Sequence, residues 1–446
     1  MPEQGFSYTQ ERLRELAGDV LRHAERSGAS ACEVDVSEAY GQSATVRRQE
    51  VETIEYNRDK GLGVTVYLGQ RRGHASSSDF SAQALRAAVD AALSIARFTA
   101  PDPCAGLPEA ALLAKAEMDL DLYHPWELSI DAAIELARRC EQAAFDVSPL
   151  IRNSEGATVS AQQSHFIAAN SLGFMGGYAS TRHYLSCAVI AGEGDGMQRD
   201  DWYASKRVPA ELASPESVGE YAARRALARL EARKLKTRKV PVLFEAPLAA
   251  GLIGSFVHAA SGGSLYRKTS FLVDSIGKPI FPAHLNIGER PHLPRGPASS
   301  PFDDDGVATR DREVVRGGIL EGYFLGTYSA RKLGMATTGN AGGSHNLIVA
   351  PGDQDLPGLL RSMGRGLFVT EVLGHGINYL TGDYSRGAAG YWVEGGEIRY
   401  PVQEITIAGN LREMFLGIAA VGNDIVVRGS KQVGSLLIDR MTVAGN

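Results

Sequence analysis

The sequence predicts an α+β protein in two parts. An N-terminal domain over 1–237 is built of two helix–antiparallel strands–helix halves, about 1–100 and 126–235. A C-terminal, mainly antiparallel β domain with a few helices covers 238–446. Two observations carry this prediction. The order helix, several strands, helix occurs twice before residue 235, and after Val240 helices become few while glycines multiply between short β-rich runs. A chain of 446 residues, 44% hydrophobic and 22% charged, is long enough to bury more than one core.

The elements follow in order. Ser7-Tyr8-Thr9-Gln10 fits a capping box, and Leu13, Leu16, Ala17, Val20, Leu21 and Ala24 share one face of the helix behind it. Gly28 stops that helix. Strand-like segments follow at Ala31–Val36, Ser43–Arg48, Glu52–Tyr56, Gly63–Leu68 and Arg72–Ser76, before Ser81 caps a second helix. Pro101 to Pro125 reads as an irregular connection. Ser129 then opens a third helix, and strands follow at Ala157–Ser160, Ser164–Asn170, Gly176–Ala179 and Arg182–Ala191. Ser214-Pro215 starts a fourth helix. The basic run Arg233, Lys234, Lys236, Arg238, Lys239 reads as a solvated linker, because no aromatic residues interleave with it.

In the second part, Glu245–Asp274 organises the rest. Pro247 suits a first helical turn, and Leu248, Leu252, Phe256 and Ala260 repeat at helical spacing. Ser261-Gly262-Gly263 is expected to end the helix through a left-handed glycine. Gly317-Gly318 and Gly395-Gly396 supply the positive φ angles of two hairpin turns, Glu313–Leu325 and Gly390–Val402. Leu367–Leu373, Glu404–Ala408, Ile425–Val427 and Ser435–Ile438 add strands. Asn410-Leu411-Arg412-Glu413 opens a helix expected to reach about Ala420.

Composition excludes several functions. A net charge of −6 and a pI near 6.0 give no basic field to hold nucleic acid or an acidic membrane. No apolar run approaches bilayer length, and the start has no signal-like apolar segment. Cys32, Cys104, Cys140 and Cys187 form no C-x-x-C pair, which suits reduced thiols and a cytoplasmic location.

Motif matches fail in informative ways. Gly262–Thr269 imitates a phosphate loop, but Arg267 stands where glycine must precede the lysine. In Phe302-Asp303-Asp304-Asp305-Gly306 the aspartates are consecutive, so they cannot all turn toward one calcium, and a solvated turn is expected. No G-x-S-x-G is present. Of ten histidines, His258, His284, His292, His345 and His375 lie in the second part, and none forms H-x-x-x-H.

The segments Ser261–Lys278, Ser299–Arg312, Gly326–Gly334, Thr338–Asn346, Thr381–Ile398 and Glu404–Leu411 resemble the PmbA/TldE branch of the TldD/PmbA family, also described as modulators of DNA gyrase. The resemblance covers nearly the whole chain and is most specific over 240–430. It implies a two-domain α+β member of a cytoplasmic metallopeptidase family that trims unstructured peptides, including leader segments of peptide antibiotics. TldD-type chains carry H-E-x-x-x-H, and PmbA/TldE-type chains pair with them. Anchored at Arg267-Lys268, that pattern falls on Gly254, Ser255 and Ala259, so all three metal-site residues are missing. His258 misses by one position, about 100° around a helix.

The resemblance therefore implies no catalytic residue, metal or cofactor in this chain, with zinc held by a TldD-type paralogue in a heterodimer. This chain would bind extended, unstructured peptide and the partner. Arg267, Lys268, His345, Asn346, Glu371, Asp383, Tyr384, Ser385 and Arg386 are the candidate contacts, each weighed against an internal hydrogen bond that holds a glycine-rich loop. Two alternatives stay open: a self-sufficient, even homodimeric, metallopeptidase, and a regulatory protein acting on DNA gyrase or its inhibitors.

Overall fold

The computed structural model describes residues 5–115 and 118–445. They fall into two units. The first holds the chain through Ala228 together with Pro301–Ala308, and the second holds Arg229–Ser300 with Thr309 onward.

The first unit carries α1 (Gln10–Arg26), β1 (Ala31–Arg47), β2 (Glu50–Leu68), β3 (Arg71–Ser77) and α2 (Ala82–Phe98), then α3 (Ile130–Val147), β4 (Ile151–Asn170), β5 (Met175–Gly176), β6 (Ala179–Ala191), β7 (Gln198–Lys206) and α4 (Pro215–Ala228). The strands form one antiparallel sheet, ordered β3-β2-β1-β4-β6-β7, with β5 beside β4. The two helix–strands–helix halves thus share a single sheet and meet at β1 and β4. Ser81 and Ser129 cap their helices as the sequence suggests, accepting the amides of Ala84 at 3.3 Å and Ala132 at 3.1 Å. At α1 the cap is Thr9, which accepts the amide of Arg12 at 3.1 Å, rather than Ser7. Ser7 and Tyr8 instead donate their amides to the buried Glu38 carboxylate at 2.8 and 3.0 Å, which pulls the chain away from the helix axis before α1 starts.

Strand segments that read as separate in the sequence are continuous. Ala31–Val36 and Ser43–Arg48 belong to the one run of β1 (which stops at Arg47), and Glu52–Tyr56 and Gly63–Leu68 to β2. Ala157–Ser160 and Ser164–Asn170 likewise join in β4. Gly41 lies in the stretch between the first two of these segments. A Cβ there would sit 2.6 Å from the carbonyl oxygen of Ala161 on β4, so glycine permits close strand approach rather than a turn. Alternate residues along β1 point to one face. Cys32, Val34 and Val36 pack with α1 and α2, and Ala44 and Val46 lie buried further along. At the far end α3 supplies Glu141, fully buried, whose carboxylate accepts the amides of Arg48 and Gln49 at 2.8 and 2.7 Å in the β1–β2 turn. Both turn residues have positive φ, so the turn is held by a charge-assisted pair of bonds.

The Asp-rich Phe302–Gly306 segment turns at Asp304–Asp305 with Asp304 exposed, as expected, while Phe302, Asp303 and Gly306 around it are buried. The Phe302 ring packs against Phe174 at 5.0 Å between ring centres, and Asp303 accepts the amides of Asp305 and Val307.

The second unit contains β8 (Arg238–Phe244), α5 (Ala246–Ala259), α6 (Gly262–Tyr266), β9 (Ile287–Glu289), β10 (Arg312–Arg316), β11 (Ile319–Leu320), α7 (Thr327–Leu333), β12 (Leu347–Val349) and α8 (Leu356–Met363). After them come β13 (Arg365–Leu373), β14 (Asp383–Glu394), β15 (Glu397–Asn410), α9 (Leu411–Leu416), β16 (Ile418–Val421), β17 (Val426–Arg428), β18 (Lys431–Val433) and β19 (Leu436–Ala444). One sheet runs β11-β10-β9-β12-β18-β17. The other runs β15-β14-β13-β8-β19-β16, and β15 also pairs with β19, so β8, β13, β14, β15 and β19 close into a ring. Pairing is antiparallel except β8–β13 and β12–β18. Both hairpins turn on the expected glycines, with φ of 56° and 77° at Gly317 and Gly318, and 64° and 77° at Gly395 and Gly396.

Leu252, Ile253 and Phe256 of α5 share one core with Ile287 and Leu347 of the first sheet and Val369 and Ile405 of the second. Ser261-Gly262-Gly263 does not close this helix with a left-handed residue. Ser261 instead stands at the start of α6 without a side-chain bond to its amides, and a Cβ on Gly262 would sit 2.2 Å from the Ser329 hydroxyl oxygen, so crowding rather than φ requires the glycine. The Asn410 helix ends at Leu416, well short of Ala420, because the chain turns into β16. The basic linker is pinned to the sheet: Arg233 lies over the Tyr400 ring at 4.7 Å and Arg238 over Trp392 at 4.9 Å. No helix among the described residues is long and apolar enough to cross a membrane.

Candidate functional site

Helix α5 buries most of its surface because its apolar residues recur on three sides. Gly251, Gly254 and His258 mark its open stripe, at helical spacing. His258 is exposed and lies against Tyr379, with ring centres 4.0 Å apart and the planes tilted by 38°. Lys431 reaches the same stripe from β18: a Cβ on Gly254 would lie 3.4 Å from its Cε. Burial holds the Lys431 ammonium below its ordinary value, and its side chain bonds to the Ser430 hydroxyl at 3.2 Å.

The family resemblance places a metal over positions 254, 255 and 259, and the residues present do not fit one. Glycine and alanine carry no donor. Ser255 is buried and directs its hydroxyl to the carbonyl of Gly251 at 3.4 Å. A lysine carbon stands next to Gly254, where a first imidazole would project, and an ammonium repels a divalent cation. No cluster of three or more His, Cys, Asp or Glu able to hold a metal occurs among the described residues.

The candidate contact residues fall into three groups. Arg267 and Lys268 follow α6 and are exposed. Arg267 lies over the Tyr266 ring at 5.2 Å, and Lys268 sits at φ 56° with its amide bonded to Leu265. His345 and Asn346 are buried ahead of β12. The His345 amide donates to Glu289 at 2.7 Å and its ring bonds the Gly339 carbonyl at 3.0 Å. Asn346 donates to the Arg290 carbonyl and to Ser299, and accepts the amide of Ala298. Beneath them, Glu289 pairs with Arg312 at 2.7 Å and accepts from Asn340 at 2.8 Å. Because β12 runs beside β18 with Leu347 opposite Lys431, this loop ends close to the open stripe of α5.

The third group lies on β13 and β14. Glu371 accepts from Arg229. Thr381 donates to Asp383 at 2.6 Å, and this bond, with one from Asn410, holds the Asp383 carboxyl below its usual value. Tyr384 is buried, which raises its hydroxyl's pKa, and Arg386 bonds to it. The Nε of Arg386 is buried with no acceptor among the described residues. Ser385 is exposed, its amide tied to the Gly376 carbonyl at 2.7 Å.

Sequence reading missed Lys431, Glu289 and Arg312. Lys431 lies far along the chain from α5, and the packing of β18 against that helix brings them together. Glu289 sits in a three-residue strand with no motif. In the first unit, a cavity of about 870 Å³ bordered by Arg14, Tyr123, Phe174 and Phe302 contains none of the candidates.

Comparison with known proteins agrees with the fold. Profiles of the PmbA/TldA metallopeptidase domains match residues 32–96 (domain 1), 123–230 (central domain) and 237–445 (C-terminal domain). The chain is 50% identical to Metalloprotease PmbA of Escherichia coli O157:H7, over 98% of this chain and 97% of that one. It is 24% identical to a Metalloprotease TldD homolog of Haemophilus influenzae, over 87% of each. A crystal structure from Bacteroides thetaiotaomicron, provisionally described as a modulator of DNA gyrase, superposes with a TM-score of 0.93 at 27% identity, covering 98% of this chain and all of that one. TldE of Thermococcus kodakarensis shares the fold, with a TM-score of 0.84 at 20% identity over 96% of this chain and all of that one. Three consecutive domain matches and half-identity along nearly its entire length establish that the chain belongs to the PmbA/TldA metallopeptidase family.

Proposed function

We propose that this chain is the metal-free subunit of a TldD/TldE-type peptidase that cleaves unstructured peptides, such as leader segments or antitoxins, in the cytoplasm. The TldD-type paralogue holds zinc, and this chain completes the cleft and binds extended peptide. The observation that carries the reading is α5, where Gly254 on the open stripe and the buried Ala259 offer no donor and the Lys431 side chain stands beside Gly254. Zinc, when bound by the partner, would polarise the scissile carbonyl and activate water. Here Arg267, Lys268, Asp383 and Ser385 are the exposed candidates available to peptide or partner. His345, Asn346, Glu371, Asp383, Tyr384 and Arg386 hold the surrounding loops.

The test is to mix the purified chain with a TldD-type paralogue, then follow co-elution, zinc content and cleavage of an unstructured peptide. Co-elution, zinc confined to the paralogue and cleavage only in the mixture are expected. A tightly bound zinc in the isolated chain, together with cleavage by it alone, would replace this reading with a self-sufficient metallopeptidase, which the names of its relatives favour.

A further inference from the structure

Lys431 is a cation that the second unit draws half out of water and leaves without an anion. Its backbone is fixed, because β18 pairs with both β12 and β17, with Lys431 opposite Leu347 on one side and Arg428 on the other. From there the side chain crosses α5, its Cε 3.4 Å from where a Cβ on Gly254 would lie, and the ammonium bonds the Ser430 hydroxyl at 3.2 Å. No carboxylate among the described residues pairs with it, and burial alone holds it below its ordinary value. A charge taken partly out of water costs stability until something pairs with it, so this ammonium is poised for a counter-ion from outside the chain.

We propose that Lys431 binds a carboxylate of an extended peptide lying along the open stripe of α5, supplied by an acidic side chain or by the peptide's C-terminus. The inference rests on the peptide-binding reading above and narrows its substrate class to peptides that carry such a group. The surroundings favour a peptide over a small anion. Gly251 lies on the same stripe with open space above it, and His258 against Tyr379 marks the other end. Gly251 to His258 spans about 10 Å of helix, the length of about three extended residues. A lone inorganic anion meets the ammonium and leaves both ends of the stripe bare. An extended chain covers them, and its carboxylate gains a charge-assisted bond from the Lys431 Nζ. A polyanion such as nucleic acid is disfavoured, because the net charge of −6 repels it as a whole. Lys431 thus sets specificity: a neutral peptide meets the same helix face but leaves the ammonium unpaired.

Fluorescence anisotropy with three labelled, unstructured peptides of one length tests this, using the full chain mixed with the TldD-type paralogue. The first carries one Glu and an amidated C-terminus, the second Gln in its place and a free C-terminus, and the third Gln and an amide. Wild type is expected to bind at least one of the first two about tenfold more tightly than the third, and which one identifies the source of the carboxylate. The preference should weaken as salt is raised. Lys431→Met should bind all three as wild type binds the third, with unchanged circular dichroism, and Lys431→Arg should keep the preference. Equal binding of all three by wild type, or binding of none, overturns the proposal, as does a preference that survives Lys431→Met. Cleavage is read separately. A mixture that cleaves none of the peptides defeats the peptidase reading, while the anisotropy still decides the Lys431 site.

Discussion

Lys431 and Glu38 are two charges buried for opposite reasons, and each predicts its own pH dependence. The Lys431 ammonium is held low by burial, with no carboxylate in hydrogen-bond contact among the described residues. Between its folded value and the ordinary 10.5, the unfolded chain binds the extra proton, so stability rises with pH across that window. Lys431→Met should flatten that rise in urea titrations at alkaline pH and leave the fold intact. Burial also opposes the charge on Glu38, but the amides of Ser7 and Tyr8 outweigh it and hold the carboxyl below 4.5. Its contribution is complete above about pH 4.5 and disappears as pH falls through the lower folded value. Glu38→Gln should cost about 2 kcal/mol at pH 7, since two bonds to a charged acceptor weaken together. Denaturant midpoints at pH 7 and pH 4 check this, the deficit of the variant shrinking in acid.

At the level of elements, much was legible in the sequence where a local rule decides the outcome. Ser81 and Ser129 cap because a hydroxyl before an apolar periodic run satisfies a free amide, and Ser129→Ala should cost about 1 kcal/mol in thermal melts. The hairpin glycines at 317–318 and 395–396 were readable because positive φ excludes most other residues. Glycines chosen for closeness misled. Gly41 lies in the stretch left out between Ala31–Val36 and Ser43–Arg48, and Gly262 read as part of a helix stop, yet each makes room for a neighbour that is remote in sequence. Gly41→Ala should therefore destabilise by about 1–3 kcal/mol, as overpacking does, measured by denaturant melting with unchanged far-UV dichroism. The candidate site divides along the same line. The missing donors at 254, 255 and 259 were visible in one dimension. Lys431 over Gly254 and the Glu289–Arg312 pair beneath His345 depend on strand pairing that no local pattern encodes.

For the whole molecule, chain order and unit membership do not coincide. Pro301–Ala308 comes late in the sequence yet belongs to the first unit, where Phe302 joins Phe174, Phe166 and Tyr178. Phe302→Ala should thus destabilise the first unit by about 3 kcal/mol, detected as faster amide exchange in β4 and β5 while β13 and β14 keep their protection. The same mismatch recurs in the ring, where β8 is hydrogen-bonded on one side to β13 and on the other to β19. A nascent chain leaving the ribosome would expose β8 early and could not seal it until the last residues are released. Both units would wait on later segments, so the protein should mature only after synthesis ends, and a chain cut short ahead of Leu436 should be recognised by the cell as incomplete.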